Sequence, residues 1–312
     1  MAVIPEHQLR RDILRFGHLC YERNLLVAMD GNLSCLLPSG DVLCTKAGCH
    51  KGFLTDEDLV VVDRSGKLLR GSGRPTSEMS MHLACYDTRP DIRAVVHTHP
   101  PMSIAFTIAG VTMARCVLPE VVLTLGTVPT VEYATTGTQD LASRVGQFIG
   151  SYDALLMDRH GAVCVGTSLL EAFCRLETME HTAVITKNAR DMGMVRTLPS
   201  DEAVRLRSMG LKRYGGPPSA VSQADAPGAD LPEACLDCSG CDNPSPIGIA
   251  PESNLRMARI VSQALQAFGA ADSVPAGEDQ SEPVPMAPAS SSAPPIEEAL
   301  AAEVIRVLRA ND

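Results

Sequence analysis

Ile92-Arg-Ala-Val-Val-His97-Thr-His99-Pro100-Pro101 is an apolar run that ends in two histidines and is then cut off by two prolines. Its short β-branched core predicts a strand over Ile92–His97, and the prolines, which carry no backbone donor, stop it. Residues at i and i+2 of a strand share a face, so one metal ion can reach both imidazoles. Glu78 lies upstream in Ser77-Glu78-Met-Ser-Met-His82, and His160 lies downstream in Asp158-Arg-His160-Gly161. Three imidazoles and a carboxylate form a four-ligand shell suited to zinc, and a carboxylate that can swing away opens a position for substrate oxygens. The pattern points to a catalytic rather than a structural metal.

Upstream of this strand, residues 7–24 place Leu9, Ile13, Leu14, Phe16, Leu19 and Cys20 among charges, which predicts an amphipathic helix. Hairpin-like strands are expected at Leu33–Leu37, Asp41–Thr45 and Leu59–Val62, separated by Pro38-Ser39-Gly40 and Arg64-Ser65-Gly66. Thr76–Tyr86 has helical spacing with Ser77 at the N-cap position. Beyond the prolines a helix is expected from Ser103, then strands at Val128–Glu132, Ala154–Met157 and Ala162–Val165, and a long helix over Leu169–Asp191. Helices mixed with runs of short strands predict an α/β fold: a sheet covered by helices.

The chain has 312 residues, enough for one large domain with appendages or for two domains. No apolar run reaches the roughly 18 residues of a membrane span, and residues 1–17 carry charges in place of a secretory apolar core, so a cytoplasmic chain is expected, without signal or membrane segment. Most of the eleven cysteines sit inside apolar patterns, as expected of buried thiols in a reducing compartment. Residues 216–312 hold fourteen Asp/Glu against four Arg, so the formal charge of −10 belongs to this tail and the body is balanced. The tail also holds thirteen of the 22 prolines and a single aromatic, Phe268, too little apolar surface to order it throughout. The body has no basic stripe that would suit nucleic acid.

Over roughly residues 7–215 the chain resembles the class II aldolase/adducin family, in particular the fuculose-1-phosphate aldolase type. Gly31-Asn32-Leu-Ser34, Thr45-Lys-Ala-Gly48, Pro75-Thr76-Ser77-Glu78, His97-Thr-His99, Tyr133-Ala-Thr-Thr-Gly137-Thr138 and Asp158-Arg-His160-Gly161 occur in the family's order. The resemblance implies a three-layer αβα body with a largely antiparallel sheet, one zinc ion per subunit on Glu78, His97, His99 and His160, and a homotetramer with sites at subunit interfaces. It implies a second role for Glu78, which leaves the metal to move the proton at the carbon that becomes nucleophilic. It also implies a phosphate pocket of Gly31, Asn32, Ala47, Gly48, Thr76 and Ser77. Small residues let backbone N–H groups approach a dianion, hydroxyls add donors, and Lys46 would add charge to the loop.

The implied reaction is reversible aldol cleavage of a phosphorylated ketose to dihydroxyacetone phosphate and a short aldehyde such as lactaldehyde. Within the family, a ribulose-phosphate 4-epimerase or a methylthioribulose-phosphate dehydratase is the alternative. Epimerases usually carry Asp where Glu78 stands. A non-catalytic adducin-like interaction protein is the alternative of a different class, and four intact ligands argue against it. The chain departs from the family at Leu123, aligned with a tyrosine that donates a proton in the C–C bond step; Glu120 or a water is the substitute. Leu211-Lys-Arg-Tyr214-Gly215 resembles the C-terminal tyrosine motif, which makes Tyr214 the candidate for substrate closure.

Residues 216–252 read as a Pro/Gly-rich linker carrying Cys235-Leu-Asp-Cys238-Ser-Gly-Cys241. The spacing resembles three of the four ligands of an iron–sulfur cluster, and a labile or inter-subunit metal site competes with a redox-prone segment of no fixed role. Amphipathic stretches are expected at 253–270 and 296–312, separated by a disordered linker at 271–295. The last stretch resembles the encapsulation peptides of bacterial microcompartment cargo, which would make shell proteins a partner. Docking on the enzyme's own body or on another subunit is the competing expectation.

Overall fold

The computed structural model describes residues 4–113 and 117–217. Cys235, Cys238, Cys241 and the amphipathic stretches expected at 253–270 and 296–312 lie outside the described residues. Eight strands form one sheet among the described residues: β1 (Asn32–Leu36), β2 (Val42–Thr45), β3 (Leu59–Val62), β4 (Leu68–Arg70), β5 (Ala94–Thr98), β6 (Thr130–Val131), β7 (Ala154–Met157) and β8 (Gly161–Gly166). Their order is β4-β3-β2-β1-β5-β8-β7-β6. Every neighbouring pair is antiparallel except β6–β7, so the histidine strand β5 sits near the centre between β1 and β8.

Seven α-helices accompany the sheet among the described residues: α1 (Glu6–Glu22), α2 (Met79–Thr88), α3 (Pro101–Ile108), α4 (Pro119–Thr124), α5 (Gln139–Ile149), α6 (Leu169–Met192) and α7 (Ser200–Tyr214). Alternate strand residues feed two cores. Leu33, Leu43, Val61, Val96, Leu156 and Cys164 pack with Ile13, Phe16, Phe173 and Leu176 of α1 and α6. Val42, Val60, Val95, Leu155 and Val163 pack with Met81, Cys85, Leu141 and Val145 of α2 and α5. With both faces covered, the central strands read as continuous apolar runs, and the period of two emerges only in which helix each side chain meets. The expected three-layer body is the observed one.

Several elements depart from the expectation. Helix α5, capped by Thr138 whose hydroxyl accepts from Leu141 N, and helix α7 were not anticipated. Strand β4, Leu68-Leu69-Arg70, is a three-residue exposed edge strand and was not anticipated. Val128–Glu132 contributes only the two-residue β6. Helix α2 starts at Met79, with Glu78 and not Ser77 at its boundary and no side-chain cap there. At the far end of α2, Arg89 meets Asp153, which also meets Arg175 of α6, at 2.9 and 3.0 Å. Burying Asp153 between two guanidiniums ties three elements together; removing it would leave Arg89 with Asp91 and Arg175 with Glu171, each at the edge of the buried pair. Cys20, Cys35, Cys44, Cys85 and Cys164 are buried as expected, whereas Cys174 is exposed. No helix among the described residues is long and apolar enough to cross a membrane.

Candidate active site

Strand register begins the site. Asn32 of β1 lies opposite His97 of β5, which in turn lies opposite Val163 of β8. His97 shares the face of Val95, towards α2, and Glu78 at the start of α2 reaches down to it. His99 lies one residue past the end of β5, held by its own N–H on Leu25 O at 2.9 Å. His160 sits in the β7–β8 turn, next to Arg159 in a left-handed conformation at φ 55°. Arg159 is fixed there through its N–H to the Thr107 hydroxyl at 2.9 Å.

Four polar side chains converge from these elements. One ring nitrogen of each of His97, His99 and His160 lies within 4.8 Å of the others. Glu78 Oε2 is 2.9 Å from His97 Nε2, and Glu78 Oε1 is 3.2 Å from His160 Nε2. His97 Nδ1 donates to Ala162 O at 2.9 Å, which leaves its Nε2 as a lone pair. His99 Nδ1 faces the Asp30 carboxylate at 3.4 Å, and its Nε2 meets His97 Nε2 at 3.2 Å. Imidazole lone pairs directed at one another beside a carboxylate form a set of acceptors with no donor among them, which a divalent cation satisfies. Glu78 Oε1 and His160 Nδ1 are buried without a hydrogen bond, as expected of a donor set awaiting an ion.

Electrostatics agree with this. Burial pushes His99 down to about 4, with His97 and His160 adding to the effect, so its imidazole is neutral and able to ligate. Burial opposes ionisation of Glu78, but the neighbouring His97, His160 and the Asn32 amide outweigh it and hold the carboxyl well below the usual range.

Beside these residues opens a cavity of about 230 Å³ lined by Gly31, Asn32, Ala47, Gly48, Thr76 and Ser77, the full expected phosphate set, together with Glu78, His99 and His160. Gly31 has φ +67°, and a Cβ there would stand 2.7 Å from His97 O, so glycine is needed for both conformation and approach. Gly48 has φ +75° and nothing within 4 Å of an added Cβ, which leaves open space above its backbone. The Asn32 side chain is not free for a phosphate: its Nδ2 donates to Glu78 Oε2 at 3.0 Å and its Oδ1 accepts from His82.

Two charges differ from expectation. Lys46 lines the cavity, but its ammonium pairs with Asp58 at 2.8 Å. Lys51, which was not singled out from sequence, is only 2 % exposed and lines the same cavity. Its Nζ donates to Met29 O and Cys49 O at 2.8 and 2.9 Å, and burial lowers its pKa. An ammonium has three donors, so one N–H of Lys51 is left over after these two. Asp30 and Thr136 also line the cavity and were not singled out from sequence. Tyr214, Glu120 and Leu123 do not line it. Tyr214 is half exposed at the end of α7, and Leu123 packs with Val122, Ala203 and Leu206 where α4 meets α7.

The family model described as class II aldolase and adducin N-terminal domain matches residues 11–186. An L-fuculose phosphate aldolase from Methanococcus vannielii is 36% identical over 173 residues, covering 55% of this chain and 92% of the relative. A 3-oxo-tetronate 4-phosphate decarboxylase from Escherichia coli K12 is 33% identical over 207 residues, covering 65% and 97%. Among solved structures, YgbL from Klebsiella pneumoniae superposes with a TM-score of 0.62 at 33% identity, covering 65% of this chain and all of that one. An L-fuculose 1-phosphate aldolase superposes with a TM-score of 0.61 at 27% identity, covering 64% and 94%.

Proposed function

Because the chain belongs to the class II aldolase and adducin family, we propose that it is a zinc-dependent lyase acting on a phosphorylated ketose of the fuculose-1-phosphate or rhamnulose-1-phosphate type. The products are dihydroxyacetone phosphate and a short aldehyde such as lactaldehyde. The observation that carries this reading is the convergence of His97, His99, His160 and Glu78 at the edge of a cavity built from small residues and hydroxyls. The family assignment and its aldolase and decarboxylase relatives support a lyase; metal, substrate and residue roles are the proposal.

His97, His99 and His160, with Glu78, would hold the ion. When bound, it supplies Lewis-acid stabilisation of the oxyanion that develops as the C–C bond breaks. Backbone N–H groups at Gly31 and Gly48, the hydroxyls of Thr76 and Ser77, and Lys51 bind the phosphate and so fix the ketose end, while Ala47, whose N–H donates to Arg74 O at 2.9 Å, shapes the loop. In cleavage the electron pair of the breaking bond passes into an enediolate on the phosphate-bearing fragment. The hydroxyl of the departing aldehyde gives up its proton through water to the ionised Glu78, which then delivers it to the carbon that carried the bond; the synthetic direction runs the reverse. In a homotetramer Tyr214 would serve the site of a neighbouring copy.

Lys51→Met is expected to raise KM for the phosphorylated substrate about 10- to 100-fold, the size of a lost charge-assisted hydrogen bond, with kcat little changed. Inhibition by inorganic phosphate should weaken in parallel. An unchanged KM and phosphate inhibition constant would remove Lys51 from the pocket.

A second reading, decarboxylation of a 3-oxo sugar-acid phosphate, is favoured by one feature. Neither Leu123 nor Glu120 brings a second proton-handling group to the cavity. A departing carboxylate leaves as carbon dioxide and needs no proton transfer at the leaving fragment, whereas a departing aldehyde forms only as its hydroxyl loses a proton. The two are separated by incubating zinc-loaded protein with fuculose-, rhamnulose- and ribulose-phosphates and with a 3-oxo-tetronate 4-phosphate. Dihydroxyacetone phosphate from a 1-phosphate supports the aldolase; carbon dioxide from the acid alone establishes the decarboxylase. Turnover of none of them would overturn both.

A further inference from the structure

Behind Glu78 runs a line of buried polar side chains that the metal centre does not use. Asn32 and Ser34 point from the same face of β1, and Glu78, His82 and Tyr86 recur every four residues at the start of and along α2, so the strand pair and the helix row mesh. Asn32, Ser34, His82 and Tyr86 are 4%, 0%, 0% and 4% exposed. The links run from Tyr86 Oη to Ser34 Oγ at 2.8 Å, and from Ser34 Oγ to His82 Nδ1 at 2.6 Å. They continue from His82 Nε2 to Asn32 Oδ1, and from Asn32 Nδ2 to Glu78 Oε2 at 3.0 Å.

The ionised carboxylate at one end fixes the direction of every link. Glu78 can only accept, so Asn32 must present its NH2 to it and its carbonyl oxygen to His82. That oxygen can only accept, so His82 carries its proton on Nε2 and leaves Nδ1 as acceptor. Ser34 then donates to Nδ1 and accepts from Tyr86. The reversed arrangement would flip the Asn32 amide and set its carbonyl oxygen against a carboxylate oxygen. With each buried group satisfied in one arrangement only, the line is rigid.

We propose that His82, through Asn32 and supported by Ser34 and Tyr86, is a positioning residue for Glu78. One carboxylate oxygen is anchored from inside the body, while the other, Oε1, has no hydrogen bond and is free to turn between the histidines and substrate. His82 and Asn32 thereby keep the base aimed when it disengages from the imidazoles. Asn32, expected in the phosphate turn, lines the cavity but commits its amide to Glu78 and His82, and Ser34 stands behind it on His82. This rests on Glu78 acting as the base.

The test combines kinetics and spectroscopy on the full-length, zinc-loaded protein. Ser34→Ala and His82→Leu are expected to lower kcat about 10- to 100-fold, the usual scale for losing an orienting partner, with KM and bound zinc near wild type. His82→Gln, which keeps one donor and one acceptor, should recover part of the loss. In a Glu78→Gln background His82→Leu should add nothing further. The nitrogen-15 shifts of His82 in the unmodified protein should report the Nε2–H tautomer, a readout that does not depend on any variant folding. An Nδ1–H tautomer, or variants with lowered Tm but wild-type kcat per bound zinc, would overturn the proposal. If Glu78→Gln itself keeps full activity, it is the base assignment that fails, not the line.

Discussion

Glu78→Gln is expected to lower kcat about 10²- to 10⁴-fold at saturating zinc, the range that a positioned general base contributes. The substitution keeps the side-chain shape but removes the charge that faces His97 at 2.9 Å and His160 at 3.2 Å. It also replaces one oxygen by an NH2, so either Asn32 Nδ2 meets a second donor or the new amide turns its nitrogen towards the histidines. Zinc affinity should fall as well, because one anionic donor is lost from a set of neutral imidazoles, and the kinetic comparison therefore needs excess metal. Activity surviving at near wild-type kcat would refute the base assignment and leave Glu78 as a ligand alone.

Gly161→Ala should weaken zinc binding at least about 10- to 100-fold without removing a ligand, the cost seen when support of metal ligands is disturbed. A Cβ at this first residue of β8 would stand 2.5 Å from Thr98 O, 2.9 Å from His99 Cδ2 and 3.0 Å from His97 Cε1. The carbonyl belongs to the central strand and cannot retreat cheaply, so the rings must shift. Overpacking of this kind costs about 1–3 kcal/mol of stability, which urea unfolding would read alongside the zinc titration. Wild-type zinc affinity in this variant would mean that the rings are not held as the packing around Gly161 requires.

The parts of this molecule that sequence revealed are those where chemistry and periodicity coincide. The Ile92–His97 run announces both a strand and its paired histidines, β7 and β8 are legible as unbroken apolar runs, and α6 is legible from apolar residues at helical spacing among charges. Helix α5 was not marked although Thr138, Leu141, Val145 and Ile149 carry a cap and a stripe, a short amphipathic pattern with Gly146 inside it. Lys51, not the expected Lys46, brings its ammonium to the cavity for a reason sequence does not encode. Which lysine is buried depends on the path of the loop between β2 and β3, and Asp58, twelve residues after Lys46, takes that ammonium. His82 stood inside a quoted motif without a role, because its meaning depends on Ser34 and Asn32, nearly fifty residues earlier, meeting it across the sheet.

The central claim is that the three histidines and Glu78 make one metal site, and zinc titration of metal-stripped protein tests it most directly. One ion per chain should bind tightly, with affinity reduced in Gly161→Ala and lost in His97→Ala while circular dichroism shows both variants folded. No tight binding by the unmodified protein, or undiminished binding by His97→Ala, would contradict the account.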